Sequence, residues 1–291
     1  MLSTHLPSGH SSLLAPTLPD AGDHPTPWTS AVRPWNPLHD DACARQFSSY
    51  LKPSAEGLQR ALDDSQPSDA ADQAIHGRLK EKILGNDFPC VAARSVMNRG
   101  TYRFGVYESL GTPQAAFALC HDLYEFTHEF PTGLHPFTSY MAAFKGPAVH
   151  SECDFEKLLW EQLQLMHGID ARYFDWDGSV SKDPDSPNFS FSVGGRAFFV
   201  VGLNRCASRH ARYTGESFIV FNPHDQFEAL RASGKYEQLQ KAIRQRDIAV
   251  QGSINPMLQD FGSQSESRQY AGRAVPAQWR CPFHSQANPH A

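Results

Sequence analysis

Hydrophobic and polar positions form their clearest pattern between residues 189 and 221. Phe189–Val193 alternates apolar and polar residues, and after Gly194-Gly195 the run Arg196–Leu203 is almost wholly apolar. Two β runs joined by Gly-Gly predict a tight hairpin, because both central positions of such a turn need a positive φ. The second run is apolar on both faces, so we expect a central strand that is covered on each side. Phe218–Phe221 predicts a third strand.

Apolar residues spaced three and four apart predict several amphipathic helices. These helices are expected over Ala70–Leu84, Thr112–His128, Asp154–His167 and Gln226–Ile248, the last interrupted near Gly234, with a short one in Asp41–Tyr50. The segments Phe88–Val96 and Thr101–Ser109 predict an antiparallel strand pair around a turn, and Phe137–Phe144 predicts another strand. Because helices and strands mix without regular βαβ alternation, we predict an α+β fold with a mixed, largely antiparallel sheet flanked by helices.

The first 40 residues differ in composition from the remainder. They are rich in Pro, Ser, Thr, His and Gly and have no apolar period, so we expect a disordered or loosely draped N-terminal arm over residues 1–40. Trp28 and Trp35 are candidates for docking that arm onto the body. Residues 41–291 are predicted to form a single domain.

Charge and cysteine usage narrow the function classes. A net charge of −5 argues against a general nucleic-acid binder. No apolar run approaches the length of a membrane span, and the N-terminus lacks the pattern of a secretory signal. The six scattered cysteines include no CxxC pair, which suits a reducing compartment. We therefore expect a cytoplasmic protein with neither a nucleic-acid nor a membrane partner.

Two cysteines and two histidines are candidate metal ligands, although no familiar enzyme signature is present. Cys90, in Phe-Pro-Cys, is either a small core residue or a metal or haem thiolate. Cys281, in Cys-Pro-Phe, either anchors the tail or is a ligand. His224 is either an iron ligand at a strand end or a helix N-terminal residue bonded to backbone. His167 is either an iron ligand or a residue at a helix C-terminus that interacts favourably with the helix dipole.

A polar loop after the apolar strand carries three arginines. Arg205, Arg209 and Arg212 suit either a solvated surface or the recognition of carboxylates, such as two haem propionates or a substrate carboxylate. A cationic substrate would need acidic partners. The candidates are Glu152, Asp175, Asp177, Asp183, Asp260 and Glu266, which the sequence does not rank.

Long segments of the chain resemble the YqcI/YcgG family. They are FPC at 88–90, FEKLLWEQLQLMH at 155–167, the run 176–203, ASR at 207–209, FNPHDQFE at 221–228, RDIAVQGSINPML at 246–258, QYAGR at 269–273 and WRCPF at 279–283. The resemblance covers about residues 70–283. Many relatives carry His-Pro where this chain has Asn204-Arg205, so the resemblance implies no axial ligand at position 204.

Family members of known activity are haem-dependent N-hydroxylases of guanidine groups, and the chain most resembles those that hydroxylate L-arginine on the way to D-cycloserine, an antibiotic. The resemblance implies haem b as cofactor and N-omega-hydroxy-L-arginine as product. It also implies hydrogen peroxide, or O₂ with an electron donor, as oxidant. A homodimer is left open.

Sulfur is the expected axial ligand, since an electron-rich thiolate promotes O–O cleavage at haem iron. Cys281 is preferred over Cys90, because a polar tail has little other reason to return a lone thiol to the body. Two competing hypotheses remain. One is a non-catalytic haem-binding or haem-sensing protein, and the other is a non-haem hydrolase or binding protein for a cationic amino acid.

Overall fold

The computed structural model describes residues 36–62 and 68–285. The described residues belong to one compact unit. Trp28, Trp35 and nearly all of the predicted arm lie outside the described residues. None of the helices in the described ranges is long and apolar enough to cross a membrane.

The described residues form eight α-helices, and the predicted segments account for all of them except the third and the last. They are α1 (Ala42–Phe47), α2 (Ala70–Leu84), α3 (Val91–Arg99), α4 (Pro113–Glu129), α5 (Glu152–Asp170), α6 (His224–Ala232), α7 (Tyr236–Gln251) and α8 (Ser267–Tyr270). Thr112 caps α4 by accepting a hydrogen bond from the Ala115 N–H, with Pro113 at the first helical position, as the sequence indicates. Gly234 separates α6 from α7 with a φ of 67°.

One seven-stranded sheet organises the described part of the chain. Its strands are β1 (Leu51–Ser54), β2 (Gly57–Arg60), β3 (Tyr102–Ser109), β4 (Ser139–Gly146), β5 (Phe191–Val193), β6 (Arg196–Leu203) and β7 (Ser217–Pro223). The order is β2-β1-β3-β4-β7-β6-β5. Only the β3–β4 pair is parallel among these strands, so the predicted α+β class with a largely antiparallel sheet is confirmed.

Side chains alternate between the two faces of the central strands, as the pleat requires. Tyr140 and Phe144 of β4 point into a cluster built with α1, α4 and α5, and we call this side of the sheet the α4 face. Met141 and Ala143 point into a cluster built with α2 and α3, and we call this side the α3 face. Helices therefore cover the sheet on both sides.

The Gly194-Gly195 hairpin between β5 and β6 is confirmed. The two glycines have φ values of 63° and 68°, in the left-handed region that other residues avoid. Asp170, at the end of α5, accepts hydrogen bonds from the Gly194 N–H (2.7 Å) and the Tyr124 hydroxyl (2.9 Å). The turn is thereby held against α4 and α5.

The strand predicted for Phe88–Val96 is wrong, because this segment forms α3 from Val91 onward. Ala92 and Ala93 are strong helix formers, and Gly100 ends the helix in a left-handed conformation with a φ of 65°. The strand Tyr102–Ser109 is present, but it pairs with β4 and β1 instead. The β1–β2 hairpin was not predicted, since Pro53 and the surrounding polar residues hide its alternation.

Residues 36–40, the end of the predicted arm, pack on the body of the protein. Leu38 is 1% exposed and belongs to the cluster on the α4 face. Asn36 donates through Nδ2 to the His121 carbonyl (3.1 Å) and to the Glu125 carboxylate (2.8 Å) on α4. This short segment therefore contributes to the core, although it belongs to the arm that the sequence predicted to be disordered or loosely draped.

Candidate functional site

A cavity of about 290 Å³ lies on the α3 face of the sheet. Strands β4, β6 and β7 form its floor, and α3, α6, α7 and the segment 255–269 form its walls. Most of the lining is apolar and includes Val96, Phe137, Met141, Phe199, Val201, Leu203, Val220, Phe227, Leu239, Ile243, Leu258 and Phe261. Ligand pockets have volumes of about 300–1,000 Å³, so this cavity approaches the common range.

Helix α7 covers the cavity loosely. Leu239 and Ile243 line the cavity and remain half-buried, while Asp247 is the one fully buried residue of this helix. The three residues are spaced four apart, so they lie along one face of the helix. Leu239 and Ile243 therefore form an apolar stripe on this wall of the cavity, which an apolar ligand could cover, and Asp247 lies at the end of that stripe.

Cys90 places a thiol in the wall of the cavity. It is the N-cap residue of α3, and its partly exposed side chain faces the cavity. Burial raises the pKa of this thiol, and the backbone N–H groups of Ala93 and Ala92, followed by the Arg212 guanidinium, oppose that rise. The sulfur makes no cap hydrogen bond, so these N–H groups act on it as dipoles at longer range. A helix N-terminus and a nearby cation both favour thiolate.

Arg212 is a buried cation in the same cavity. Its side chain donates through Nη1 to the carbonyls of Gly202 (3.0 Å) and Tyr270 (3.3 Å) and through Nη2 to the Gln269 carbonyl (3.3 Å). Its partners in the described ranges are neutral carbonyls, with no carboxylate within ion-pair distance. Burial lowers the pKa of Arg212 to about 10, and Cys90 and Asp247 oppose that shift. An anion entering the cavity would meet a guanidinium that is already desolvated.

The other two arginines of the loop are placed differently. Arg209 lines the cavity, but its Nη2 lies 2.6 Å from the buried Asp247 carboxylate and donates to the Ser253 carbonyl at 2.7 Å. Asp247 also accepts a hydrogen bond from the Asn255 N–H. Arg205 is exposed and is not a lining residue. The predicted arginine cluster is therefore divided into a buried cation, an ion-paired residue and a surface residue.

Glu266 gives the cavity a buried carboxyl group. It is 5% exposed and accepts a hydrogen bond from the Tyr270 hydroxyl at 3.3 Å. Burial raises its pKa to about 8, while hydrogen bonds from Ser190 and Tyr270 act to lower it. His224, at the start of α6, lies beside it, with Nδ1 at 3.8 Å from the carboxylate. Of the six acids considered from the sequence, Glu266 is among the lining residues together with the unforeseen Asp247.

Comparison of the sequence with known protein families identifies the family of this chain. A model of the YqcI/YcgG family matches residues 79–284, most of the chain. The chain belongs to the YqcI/YcgG family. No curated protein and no solved structure matches it.

The segment that matches the YqcI/YcgG family contains both candidate cysteines. They lie on opposite sides of the sheet, with Cys90 on the α3 face and Cys281 on the α4 face. Cys281 is 8% exposed and belongs to the cluster on the α4 face together with Phe283 and Trp160. Burial raises the pKa of its thiol to about 12, against hydrogen bonds from the Phe283 N–H and the Ser267 hydroxyl. Cys281 does not line the cavity, whereas Cys90 does.

The two candidate histidines of this YqcI/YcgG protein also lie outside the cavity lining. His224 lies 3.2 Å from Glu228 and packs on the ring of Phe261, with centroids 4.4 Å apart. Burial lowers the pKa of His224. His167 packs on the rings of Trp176 and Phe283, which belong to the α4 face with Cys281. The fold therefore brings Cys90, Arg209 and Arg212 together, and separates them from Cys281 and His167.

Asp247, which lines the cavity, could have been recognised from a sequence pattern that the helix prediction did not use. Asp247 stands in line with Leu239 and Ile243 on a helix, so an acid occupies an apolar stripe. A charged residue at such a position usually has a buried partner. Arg209 is that partner, but its distance in sequence hides the pairing.

Proposed function

We propose that this protein is a haem-dependent enzyme that N-hydroxylates the guanidine group of L-arginine or a related compound, with haem b bound in the α3-face cavity. The observation that carries the proposal is the meeting of the Cys90 thiol and the Arg212 guanidinium in one largely apolar cavity. A thiolate-ligated haem needs a sulfur donor, apolar walls and cationic partners for its propionates. The lining residues supply that set, but the cavity of about 290 Å³ is smaller than haem, so haem binding would require the half-buried helix α7 to move outward.

Cys90 is the residue that would hold the iron, in preference to the Cys281 favoured by sequence alone. Its position at the N-terminus of α3 lowers the cost of forming a thiolate. The Arg212 guanidinium acts in the same direction. Burial raises the pKa of both thiols, but Cys281 is enclosed among aromatic rings of the α4 face, where its pKa rises to about 12 and no cation among the described residues opposes the rise.

Arg212 would bind a carboxylate, from either a haem propionate or the substrate. Its present partners are backbone carbonyls, so an added carboxylate would supply the counter-charge that the described residues do not provide. Hydrogen bonds to charged groups contribute about 1.5–3 kcal/mol each. Haem retention and the KM for arginine distinguish the two sources of the carboxylate.

Glu266 would bind the guanidinium end of the substrate. Arg212 is anchored at the Gly202 carbonyl of β6, whereas Tyr270, which donates to Glu266, reaches the Phe198 carbonyl (3.4 Å). These two anchor points are four positions apart along β6, a distance of about 13 Å. A molecule with a carboxylate at one end and a guanidinium at the other matches this arrangement of charges.

Haem with a thiolate ligand would supply the oxidising chemistry by promoting O–O cleavage, with peroxide or with O₂ and an electron donor. The protein's own contribution is to bind, orient and exclude water. The apolar side chains Phe199, Phe227 and Phe261 limit water in the cavity. Fixing both ends of the substrate would hold one guanidine nitrogen in place for reaction. We propose a cytoplasmic setting on the scattered cysteines, and a role in D-cycloserine-type antibiotic biosynthesis on the family resemblance.

Turnover of L-arginine tests the proposal. The purified chain is reconstituted with haem and supplied with hydrogen peroxide, or with a reductase and O₂, and N-omega-hydroxy-L-arginine is measured by mass spectrometry. We expect product that requires both haem and the oxidant. A Soret band without turnover under either supply would favour the alternative, a non-catalytic haem-binding or haem-sensing protein. No Soret band after reconstitution would overturn both haem hypotheses.

A further inference from the structure

His39, His121 and Glu125 form a cluster outside the cavity. His121 and Glu125 are four residues apart on α4, and His39 lies in the segment just before α1. One ligating atom from each side chain lies within 4.8 Å of the other two. Because α4 packs on the α4 face, the sheet separates this cluster from the proposed haem cavity.

The ring of His121 is already oriented as metal-binding histidines usually are. Its Nδ1 lies 2.9 Å from the Asp122 carboxylate, and the side chain is 3% exposed. Metal-ligating histidines typically bond a carboxylate through one ring nitrogen and the metal through the other. Nε2 is therefore the atom of His121 available to the cluster.

Asp122 is itself held rigidly. Its fully buried carboxylate accepts hydrogen bonds from the Ser49 N–H (2.8 Å), the Tyr107 hydroxyl (2.7 Å) and the Ser48 hydroxyl. A carboxylate with several donors stays in place and fixes the histidine that it contacts. This second layer of contacts distinguishes the cluster from a chance meeting of surface residues.

We infer that His39, His121 and Glu125 bind one divalent first-row transition-metal ion of the Zn²⁺ class. Two imidazoles and a carboxylate suit such ions, and three protein ligands leave a position for water. Zinc bonds of about 2.0–2.1 Å would place tetrahedral ligand atoms about 3.4 Å apart, so the cluster needs a modest contraction. His39 is half-exposed and can supply it.

A metal ion at this position would link the segment before α1 to α4. Asn36 already joins the two, through its hydrogen bonds to the His121 carbonyl and the Glu125 carboxylate. Binding to the native state alone would also raise the thermal midpoint, by mass action. The site would therefore act on the packing of residues 36–40 and not on the α3-face cavity.

Metal binding to the full-length chain tests the inference. Protein stripped with a chelator is titrated with Zn²⁺ by calorimetry, and with Co²⁺ while its visible absorption is recorded. We expect one tight equivalent of Zn²⁺ and the intense visible bands of four-coordinate Co²⁺. His39→Ala and Glu125→Gln should each weaken this tight step at least about tenfold. Glu125→Gln retains an amide oxygen that can accept the Asn36 hydrogen bond, so its fold should be preserved.

His128→Ala is the matched control, since His128 is an exposed histidine of the same helix that is not in the cluster. It should leave the tight step unchanged, and circular dichroism should show all three variants folded. The inference is overturned if wild type binds no tight equivalent. It is equally overturned if His39→Ala and Glu125→Gln bind Zn²⁺ as wild type does.

Discussion

The Nδ1 atom of His224 lies 3.8 Å from a carboxylate oxygen of Glu266 at the border of the α3-face cavity. The two side chains are 5% and 6% exposed. Burial lowers the pKa of His224 and raises the pKa of Glu266 to about 8. Near neutral pH the pair is therefore mostly uncharged, and a guanidinium that reaches Glu266 would favour loss of its proton.

Glu266 should give arginine binding a specific pH dependence. Since the guanidinium binds the ionised carboxylate best, kcat/KM should rise with pH toward a plateau above about 8. Glu266→Gln should lower kcat/KM at least about tenfold and remove the rise, because the amide does not titrate. Steady-state kinetics between about pH 6.5 and 8.5 measures both effects. An unchanged profile in Glu266→Gln would exclude this carboxyl as the guanidinium partner.

The same group should make stability fall as pH rises. The folded-state pKa of Glu266 is about 8 and that of Asp170 about 7, both above their ordinary values, so the native state retains protons that the unfolded chain releases. The free energy of unfolding should therefore decrease between about pH 4.5 and 8, by up to about 1.4 kcal/mol per pH unit for each group. Urea denaturation of the ligand-free protein across this range measures the slope.

Glu266→Gln should reduce that slope, because one of the two groups then no longer titrates. Glu56→Gln is the control, since Glu56 is exposed and its removal should leave the slope unchanged. Equal slopes in wild type and Glu266→Gln would show that the carboxyl group of Glu266 does not retain its proton on folding.

Arg212 should matter for ligand binding and Arg205 should not. Arg212→Gln removes the buried cation and should lower haem retention, or raise the KM for arginine, at least about tenfold. Arg205→Gln changes an exposed residue of the same loop and should leave both quantities at their wild-type values. Haem content after gel filtration and steady-state kinetics report the two effects. Similar results for the two variants would argue against a binding role for Arg212.

Arg209 should act mainly on stability. Arg209→Ala leaves the Asp247 carboxylate buried without its cation, which costs about 3–5 kcal/mol when a buried pair is broken. Arg209→Ala combined with Asp247→Asn should recover part of that loss, because the orphaned charge is then removed. Thermal and urea unfolding measure the difference. A double variant no more stable than Arg209→Ala alone would contradict the ion-pair explanation.

Local signals in the sequence predicted much of the fold. The helix start at Thr112-Pro113 and the turn at Gly194-Gly195 both appear where expected, because each depends on neighbouring residues only. Helix α3 was predicted as a strand because its apolar residues fit either period. The pairing of β3 with β4 depends on contacts that are distant in sequence.

The candidate site was harder to derive from the sequence. Cys90 and Cys281 have equivalent local contexts, each next to a proline, and only the sheet places them on opposite faces. Similarly, Arg205, Arg209 and Arg212 share one loop, yet their burial depends on α7 and α8. The tertiary fold decides which residue faces a cavity. The spacing of residues in the sequence therefore could not show that Cys90 and Arg212 line the cavity while Cys281 and Arg205 do not.

The central claim is that Cys90 holds haem iron in the α3-face cavity, and ferrous–CO absorption spectra test it most directly. Wild type, Cys90→Ser and Cys281→Ser are reconstituted with haem, reduced and exposed to CO. A thiolate ligand gives a Soret band far to the red of the imidazole position. The account predicts this band in wild type and in Cys281→Ser, and its loss in Cys90→Ser. An imidazole-type band in wild type, or a red-shifted band that persists in Cys90→Ser, would contradict it.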